Sequence, residues 1–336
     1  MKKLIVSLIL LTTIYTKGQK IELIESFIGY TNKSEIISFT PNPKLIMSGN
    51  YQGGLNLWDL EQEKLIKTID AHKQSINNIT FHEKKNLFLT CSKDSTIKLW
   101  SFYSNRIIDS LKIQDIPTLS FFRQSGNNYF VCTNKGLIFE KNPKKDETIE
   151  IINLNQNIND AIITEDEKNI ITCDKESIKT ISLESGEIIN EIKNPYSSHF
   201  LKIEIYSTDT LITWSENGII SYWDLNRKIP ITEIRAKNAY NKLLMNSHSE
   251  IILSGYYNDR PLVINLKEIE LEKKYSENMI VVNTFLSSLN QEYLVSADMN
   301  DRHRLMTIRE VDFSPLVIQE RKLQDEKVFE ISSRYV

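Results

Sequence analysis

Acid–base, nucleophilic or metal chemistry needs imidazole, carboxylate, hydroxyl and thiol groups brought together, and in this chain of 336 residues such groups are scattered. There are five histidines: His72, His82, His199, His248 and His303. No Ser/His/Asp order with a nucleophile-elbow sequence accompanies them, and the 10 glycines form no phosphate-cradling loop. The three cysteines, Cys91, Cys132 and Cys173, are odd in number and form neither a CxxC nor a His/Cys cluster at metal spacing. They read as small buried hydrophobes rather than disulfide partners or zinc ligands. Asp298, Asn300 and Asp301 have the oxygen-rich character of a calcium loop but lack its other ligands and its glycine. No cofactor, no metal and no catalytic residues are expected.

The spacing that does stand out is Asp94, six residues before Trp100, in the stretch LFLTCSKDSTIKLWSF from Leu87 to Phe102. Leu87 to Cys91 is an apolar run and Thr96 to Trp100 alternates as a half-buried strand should. The polar residues Ser92 to Ser95 form the turn, where an aspartate carboxylate accepts backbone N–H groups and holds the chain reversal. The same hairpin recurs as LIMSGNYQGGLNLWDL from Leu45 and as LITWSENGIISYWDL from Leu211.

With Trp58, Trp100 and Trp223 in register, weaker copies place Phe139, Ile181, Ile264 and Ile308 at the same position, at spacings of 42, 39, 42, 42, 41 and 44 residues. Another short apolar strand precedes each hairpin, as in Glu35 to Phe39 or Ser75 to Phe81, and a fourth follows, as in Lys64 to Ile69 or Arg106 to Leu111. A repeat of about 40 to 45 residues with four short strands is a propeller blade. The expected fold is all-β, a seven-bladed β-propeller of four-stranded antiparallel blades.

Trp58-Asp59, Trp223-Asp224, the Ala71-His72 pair and the run SKDSTIKLW resemble the WD-repeat β-propellers over nearly the whole chain. The resemblance implies a structural hydrogen-bonded set within a blade: His72, Asp94, a strand hydroxyl from Thr90 or Ser92, and Trp100. Other repeats depart from it, with Gln52 and Asn217 in place of the aspartate and Tyr30 and Pro195 at the histidine register. Closure of such a ring needs a strand from the far end of the chain, and Lys20 to Ser26 is expected to join the last blade. The tail from Leu316 to Arg334 has further strand-like runs that could compete for that place or extend the blade.

Two adjacent turns, GYYNDRP from Gly255 and ADMNDRHR from Ala297, should emerge on one face. They bring together Tyr256, Tyr257, Asp259, Arg260, Asp301, Arg302, His303 and Arg304, with Tyr51 just across the closure. Tyrosine and arginine are enriched at interfaces, which makes these residues a candidate partner-binding surface. On the innermost strands Asp160, Lys202, Glu204 and Lys242 are the charged exceptions to apolar or neutral residues.

The first residues, MKKLIVSLILLTTIYTKGQ, put two lysines before an apolar run of 12 residues, the layout of a signal peptide over residues 1–18 cleaved before Gln19. That run is shorter than the roughly 18 to 20 residues of a bilayer span, and no later stretch is long and apolar enough, so no stable membrane span is expected after cleavage. A propeller over residues 19–336, secreted or periplasmic, follows as the expectation. The formal charge of −3 gives no electrostatic reason to bind nucleic acid. The function expected is a non-catalytic, protein–protein interaction platform or scaffold for a protein or an envelope component. The alternative is a propeller enzyme acting on a small molecule or sugar, of lactone-hydrolase or glycan-cleaving type.

Overall fold

The computed structural model describes residues 17–28 and 34–235, apart from 43, 60, 61, 63, 83, 196 and 197, and beyond 235 the strands named below. Side chains are described between residues 36 and 231. The chain opens with β1 (Lys17–Ile28). The first blade is β2 (Ser34–Phe39), β3 (Leu45–Asn50), β4 (Gly54–Asp59) and β5 (Lys64–Asp70), and the second is β6 (Ile76–Phe81), β7 (Leu87–Ser92), β8 (Thr96–Ser101) and β9 (Arg106–Lys112). The third blade is β10 (Pro117–Phe122), β11 (Tyr129–Thr133), β12 (Leu137–Asn142) and β13 (Glu147–Asn153). In the fourth are β14 (Asp160–Ile163), β15 (Asn169–Cys173), β16 (Ser177–Ser182) and β17 (Ile188–Lys193). The fifth holds β18 (Phe200–Ser207), β19 (Thr210–Ser215), β20 (Ile219–Asp224) and β21 (Ile229–Arg235). The sixth comprises β22 (Tyr240–Met245), β23 (Glu250–Gly255), β24 (Leu262–Asn265) and β25 (Glu270–Lys273). Blade seven contains β26 (Val282–Ser287), β27 (Tyr293–Asp298) and β28 (Arg302–Asp312), and a final hairpin follows, β29 (Ile318–Leu323) and β30 (Glu326–Ile331).

Each blade is an antiparallel meander, and β1 supplies the fourth strand of blade seven by pairing with β28 from Lys17↔Asp312 to Ile28↔Arg302. The N-terminal segment closes the ring, and the tail goes elsewhere: β30 lies parallel to β21 on the outer edge of blade five. First strands of successive blades touch, β2 against β6, β6 against β10, β10 against β14 and β14 against β18, and β26 returns to β2. The protein is a seven-bladed β-propeller.

Burial follows the radius of the disc. Second strands are buried almost end to end, as in β3 and β7, whereas fourth strands such as β5 are exposed. A sheet sandwiched between two neighbours must be apolar on both faces, so its middle strands read as unbroken apolar runs rather than alternating ones. The core clusters accordingly join blades in pairs. Met47 and Leu55 pack with Ile76, Phe88 and Trp100, and Leu89, Cys91 and Leu99 pack with Tyr129, Val131 and Phe139. Cys132 and Ile138 meet Ile170 and Ile181, and Ile171 and Cys173 meet Phe200 and Trp223. All three cysteines are free and fully buried, and burial pushes the Cys91 thiol up to about 12, so these are inert packing groups.

A second regularity lies between third and fourth strands. In blades one to five the register shifts just before the tryptophan position, as between Leu57 and Trp58 or Leu99 and Trp100. The residue squeezed out opposite is isoleucine each time: Ile66, Ile108, Ile151, Ile189 and Ile231. A bulge bends an edge strand and interrupts its ladder, which blunts it against unwanted pairing.

Trp100 is 2% exposed and stacks on Phe88 at 5.7 Å between ring centroids. Replacing it with alanine removes this stack and opens a cavity between blades one and two. Trp100→Ala is expected to cost about 3 to 5 kcal/mol, read as a lower denaturant midpoint; an unchanged midpoint would contradict the assignment of Trp100 to the interblade core.

Candidate functional site

The second blade holds one continuous chain of polar contacts. The Trp100 indole N–H donates to Thr90 Oγ1 at 2.9 Å, and Thr90 Oγ1 lies 2.7 Å from His72 Nε2. On the other side of the ring, His72 Nδ1 is 2.9 Å from Thr96 Oγ1 and 3.3 Å from each Asp94 oxygen. Thr96 spends its hydroxyl proton on Asp94 Oδ1 at 2.6 Å, so His72 Nδ1 must carry the ring proton and Nε2 must accept from Thr90. Every donor in the chain then has one acceptor. Thr90 is the strand hydroxyl of the set, while Ser92 turns its hydroxyl to the Gln74 carbonyl at 3.0 Å.

Burial drives His72 down to about 4, opposed by the Asp94 carboxylate and assisted by the Lys98 charge, so the ring is neutral at physiological pH. For Asp94 burial works against the charge. Hydrogen bonds from the Thr96 hydroxyl and the Lys73 N–H outweigh it and hold the carboxyl below its ordinary range.

Only part of this set recurs. Trp58 donates to Ser48 at 2.9 Å and Trp223 to Thr213 at 2.8 Å, so the strand hydroxyl lies ten residues before the tryptophan in all three WD-like blades. That constant offset is a signal the sequence reading missed for Ser48 and Thr213. Asp59 accepts the Gln62 N–H at 2.8 Å, and Asp224 accepts those of Asn226 and Arg227 at 2.9 Å each, so both marker aspartates cap turns. In blade one Asn50, rather than Gln52, organises the turn, taking the N–H groups of Gln52 and Gly54. Blade four substitutes a buried ion pair: Lys179 Nζ lies 2.6 Å from Asp174 Oδ2, with Gln156 donating to the same oxygen.

The polar set in blade two bears directly on a cleft of about 420 Å³ between the first two blades, lined by Tyr51, Gln52, Lys73, Gln74, Ser75 and Lys93. Asp94 holds the Lys73 N–H at 2.8 Å, and the Lys93 N–H donates to the Ser75 carbonyl at 2.9 Å. Across the cleft the Gly53 carbonyl accepts the His72 N–H at 2.9 Å. Gly53 has φ +94°, and a Cβ there would sit 2.2 Å from the His72 carbonyl oxygen, so this close approach requires glycine. The backbone of the cleft is thus pinned while Tyr51 stands 46% exposed. Two lysines at its rim give the site a positive field.

Of the other expected partner-binding residues, Tyr256, Tyr257, Asp259, Arg260 and Asp301 lie outside the described residues. Arg302, His303 and Arg304 are the first residues of β28, laddered to Ile28, Phe27 and Ser26, rather than part of a turn. On the inner strands, Asp160 accepts the Ile203 N–H at 3.0 Å and Lys202 pairs with Glu204 at 3.4 Å. Burial pushes Asp160 up to about 6, against the pull of Lys202. The Asp160–Ile203 bond staples blade four to blade five, while the Lys202–Glu204 pair lies within β18. Lys242 lies on β22, where only the backbone is described. Among the described residues no group of His, Cys, Asp and Glu is placed to hold a metal ion, and no helix is long and apolar enough to cross a membrane.

A family model described as WD domain, G-beta repeat, matches residues 63–101, the span that ends β8 and carries His72, Asp94 and Trp100. Residues 63–101 thus form a WD repeat. The p21-activated protein kinase-interacting protein 1-like of Danio rerio is 23% identical over 54% of this chain and 50% of its own length. Small ribosomal subunit protein RACK1 of Neurospora crassa is 31% identical over 35% of this chain and 39% of its own. The chain spans about half the length of the curated relatives heading the comparison. Among solved structures, the β-propeller domain of Cps50 (Swd1) from Myceliophteria thermophila superposes with a TM-score of 0.74, covering 85% of this chain and 99% of that one at 11% identity.

These relatives correct one expectation. A ribosomal subunit protein and a protein kinase-interacting protein of eukaryotes are intracellular by designation, and the secreted or periplasmic location read from residues 1–18 is overturned. Two lysines ahead of an apolar run are a compositional signal with no residue-specific chemistry. The expected cleavage bond, Gly18–Gln19, moreover lies inside β1, where Gly18 pairs with Val311 and Gln19 with Glu310.

Acid should weaken the blade-two set. The folded-state value of His72, about 4, lies below the ordinary 6.5. The unfolded chain therefore takes up the proton first: the contribution is full above pH 6.5 and is lost as pH falls to 4. It amounts to about 3 kcal/mol. Asp94, also depressed, acts in the same direction further into acid, whereas the cost of ionised Asp160 shrinks below about pH 6. The stability difference between wild type and His72→Gln should therefore contract on going from pH 7 to pH 4. A difference independent of pH would show that His72 is not held neutral by burial. Asp94→Ala is expected to cost about 1 to 3 kcal/mol at pH 7, measured by chemical denaturation.

Proposed function

We propose that the protein is a non-catalytic platform that binds a partner protein, with the cleft between blades one and two as a principal contact for an acidic segment. The observation that carries this reading is the pinned cleft itself. Its walls come from three turns whose backbones are tied by Asp94, Ser75 and Gly53, so a ligand entering it orders little that is not already ordered. Lys73 and Lys93 at its rim complement carboxylates, and Tyr51 offers apolar area with a hydrogen-bonding hydroxyl.

The relatives support a role of this kind: one is named for interaction with a protein kinase and another for the small ribosomal subunit. Of the inner-strand charges, which a propeller enzyme would turn to catalysis, Asp160 is engaged in the staple between blades four and five and Lys202 is paired with Glu204 within β18. Tyr256, Tyr257, Asp259, Arg260 and Asp301, from the turns of blades six and seven, remain part of the proposal on sequence grounds.

The test is a panel of fluorescent peptides graded in Asp and Glu content, titrated with wild type and with a Tyr51→Ala, Lys73→Glu, Lys93→Glu triple variant. Binding to the acidic members should fall by about tenfold or more in the variant, and wild-type affinity should weaken with salt. Equal binding by both proteins would remove the cleft from the proposal.

A further inference from the structure

The terminal hairpin is held to the propeller in an unusual way. Among the described residues, β29 pairs with β30, and β30 pairs with β21 through a parallel ladder of four residue pairs, Thr232↔Lys327 to Arg235↔Glu330. That ladder begins immediately after the bulged Ile231, on the stretch of β21 that the bulge leaves straight. By contrast, β1 is secured to β28 by eleven residue pairs. A two-stranded hairpin is marginal alone, and parallel pairing is somewhat weaker per residue than antiparallel. The attachment is therefore exchangeable.

Chain length adds a second constraint. Residues 313–317 are all that separates β28, in blade seven, from β29, on blade five, with blade six between. The six steps from Asp312 to Ile318 reach at most about 22 Å when fully extended. Sheets packed face to face lie about 10 Å apart, so two blades span roughly 20 Å at the hub and more at the rim, where the blades fan out. A hairpin docking on its own blade five has no slack. Short connections without slack favour exchange of the element between copies, where the same contacts form without that constraint.

We propose that the outer edge of blade five, Thr232 to Arg235, accepts the terminal hairpin of a second copy of this chain, so that two propellers exchange β29–β30 and form a dimer. The occupant needs no new complementarity, because the edge and the strand that fits it are both present in every chain. The exchange is isologous: each copy gives one hairpin and receives one, and the contact closes at two chains rather than growing into a fibre. Among the described residues the remaining outer strands, β1, β5, β9, β13, β17 and β25, end their sheets without an added strand.

Directed cross-linking reads this out. Glu233 and Val328 face each other in the ladder, and the native Cys91, Cys132 and Cys173 are buried and free. Neighbouring strands lie within disulfide reach. A chain carrying Glu233→Cys is mixed with a chain carrying Val328→Cys under mild oxidant. Exchange predicts covalent dimers, with up to about half of the chains joined when the two are equimolar. A chain carrying both substitutions that closes on itself, with no dimer in the mixture, would overturn exchange. Failure of either pairing to form a disulfide would also overturn it, since the hairpin would then not occupy this edge.

The unsubstituted chain supplies an independent measurement. Light scattering should show a mass rising from one chain towards two with concentration, and Phe329→Pro, which breaks the β30 ladder, should return it to one while the propeller's melting transition persists. A mass of one chain at every concentration sinks the proposal.

Discussion

Each described core cluster is shared between two consecutive blades, and this contact between sheet faces is the interaction on which the ring, its turns and its cleft depend. A single four-stranded sheet of this size buries too little apolar surface to stand alone, whereas a sheet covered on both faces buries nearly all of its second and third strands. Fully burying a large apolar side chain contributes about 1.5 to 3 kcal/mol, so Phe88, Trp100, Tyr129, Phe130, Phe200 and Trp223 together make the faces cohere. Because the stack is circular, its last face must meet its first. The β1–β28 pairing and the contact of β26 with β2 accomplish that.

Polar contacts refine this packing. The sequence Trp100, Thr90, His72, Asp94 runs from the interblade core to the surface, and each step satisfies a group that burial would otherwise penalise. At its outer end the network becomes functional geometry, since the same Asp94 that orients His72 also fixes Lys73 at the cleft. Blade four reaches a comparable result with Asp174, Lys179 and Gln156. The repeat therefore conserves a mechanical task across blades while the residues that perform it change.

Much of the fold was legible because a period of about 42 residues is carried by residue types with strong local meaning: tryptophan at the end of a strand, aspartate or asparagine in a turn, and apolar runs for strands covered on both faces. The network in blade two was legible from Asp94 and Trp100 through the family resemblance, though not the part played by Thr96. Blade four was not, because Asp174 and Lys179 are five residues apart on one hairpin and look like a solvated pair until burial is known. The bulged isoleucines escaped as well, since a bulge is a relation between two strands and leaves no mark in one. The N-terminal reading erred for a related reason: composition supplied a signal that no pairing constrained.

The sequence by itself determined the number of blades, the order of strands within them and Asp94 as the residue that holds the blade-two turn, since these follow from local propensity and spacing. Only the tertiary structure decided which chain end closes the ring, that the tail lies on blade five, and that Tyr51, Lys73 and Lys93 share one cleft. Those outcomes depend on which edges and turns meet in space. Residues from different repeats become neighbours only when the circle closes, and no local pattern encodes that distance.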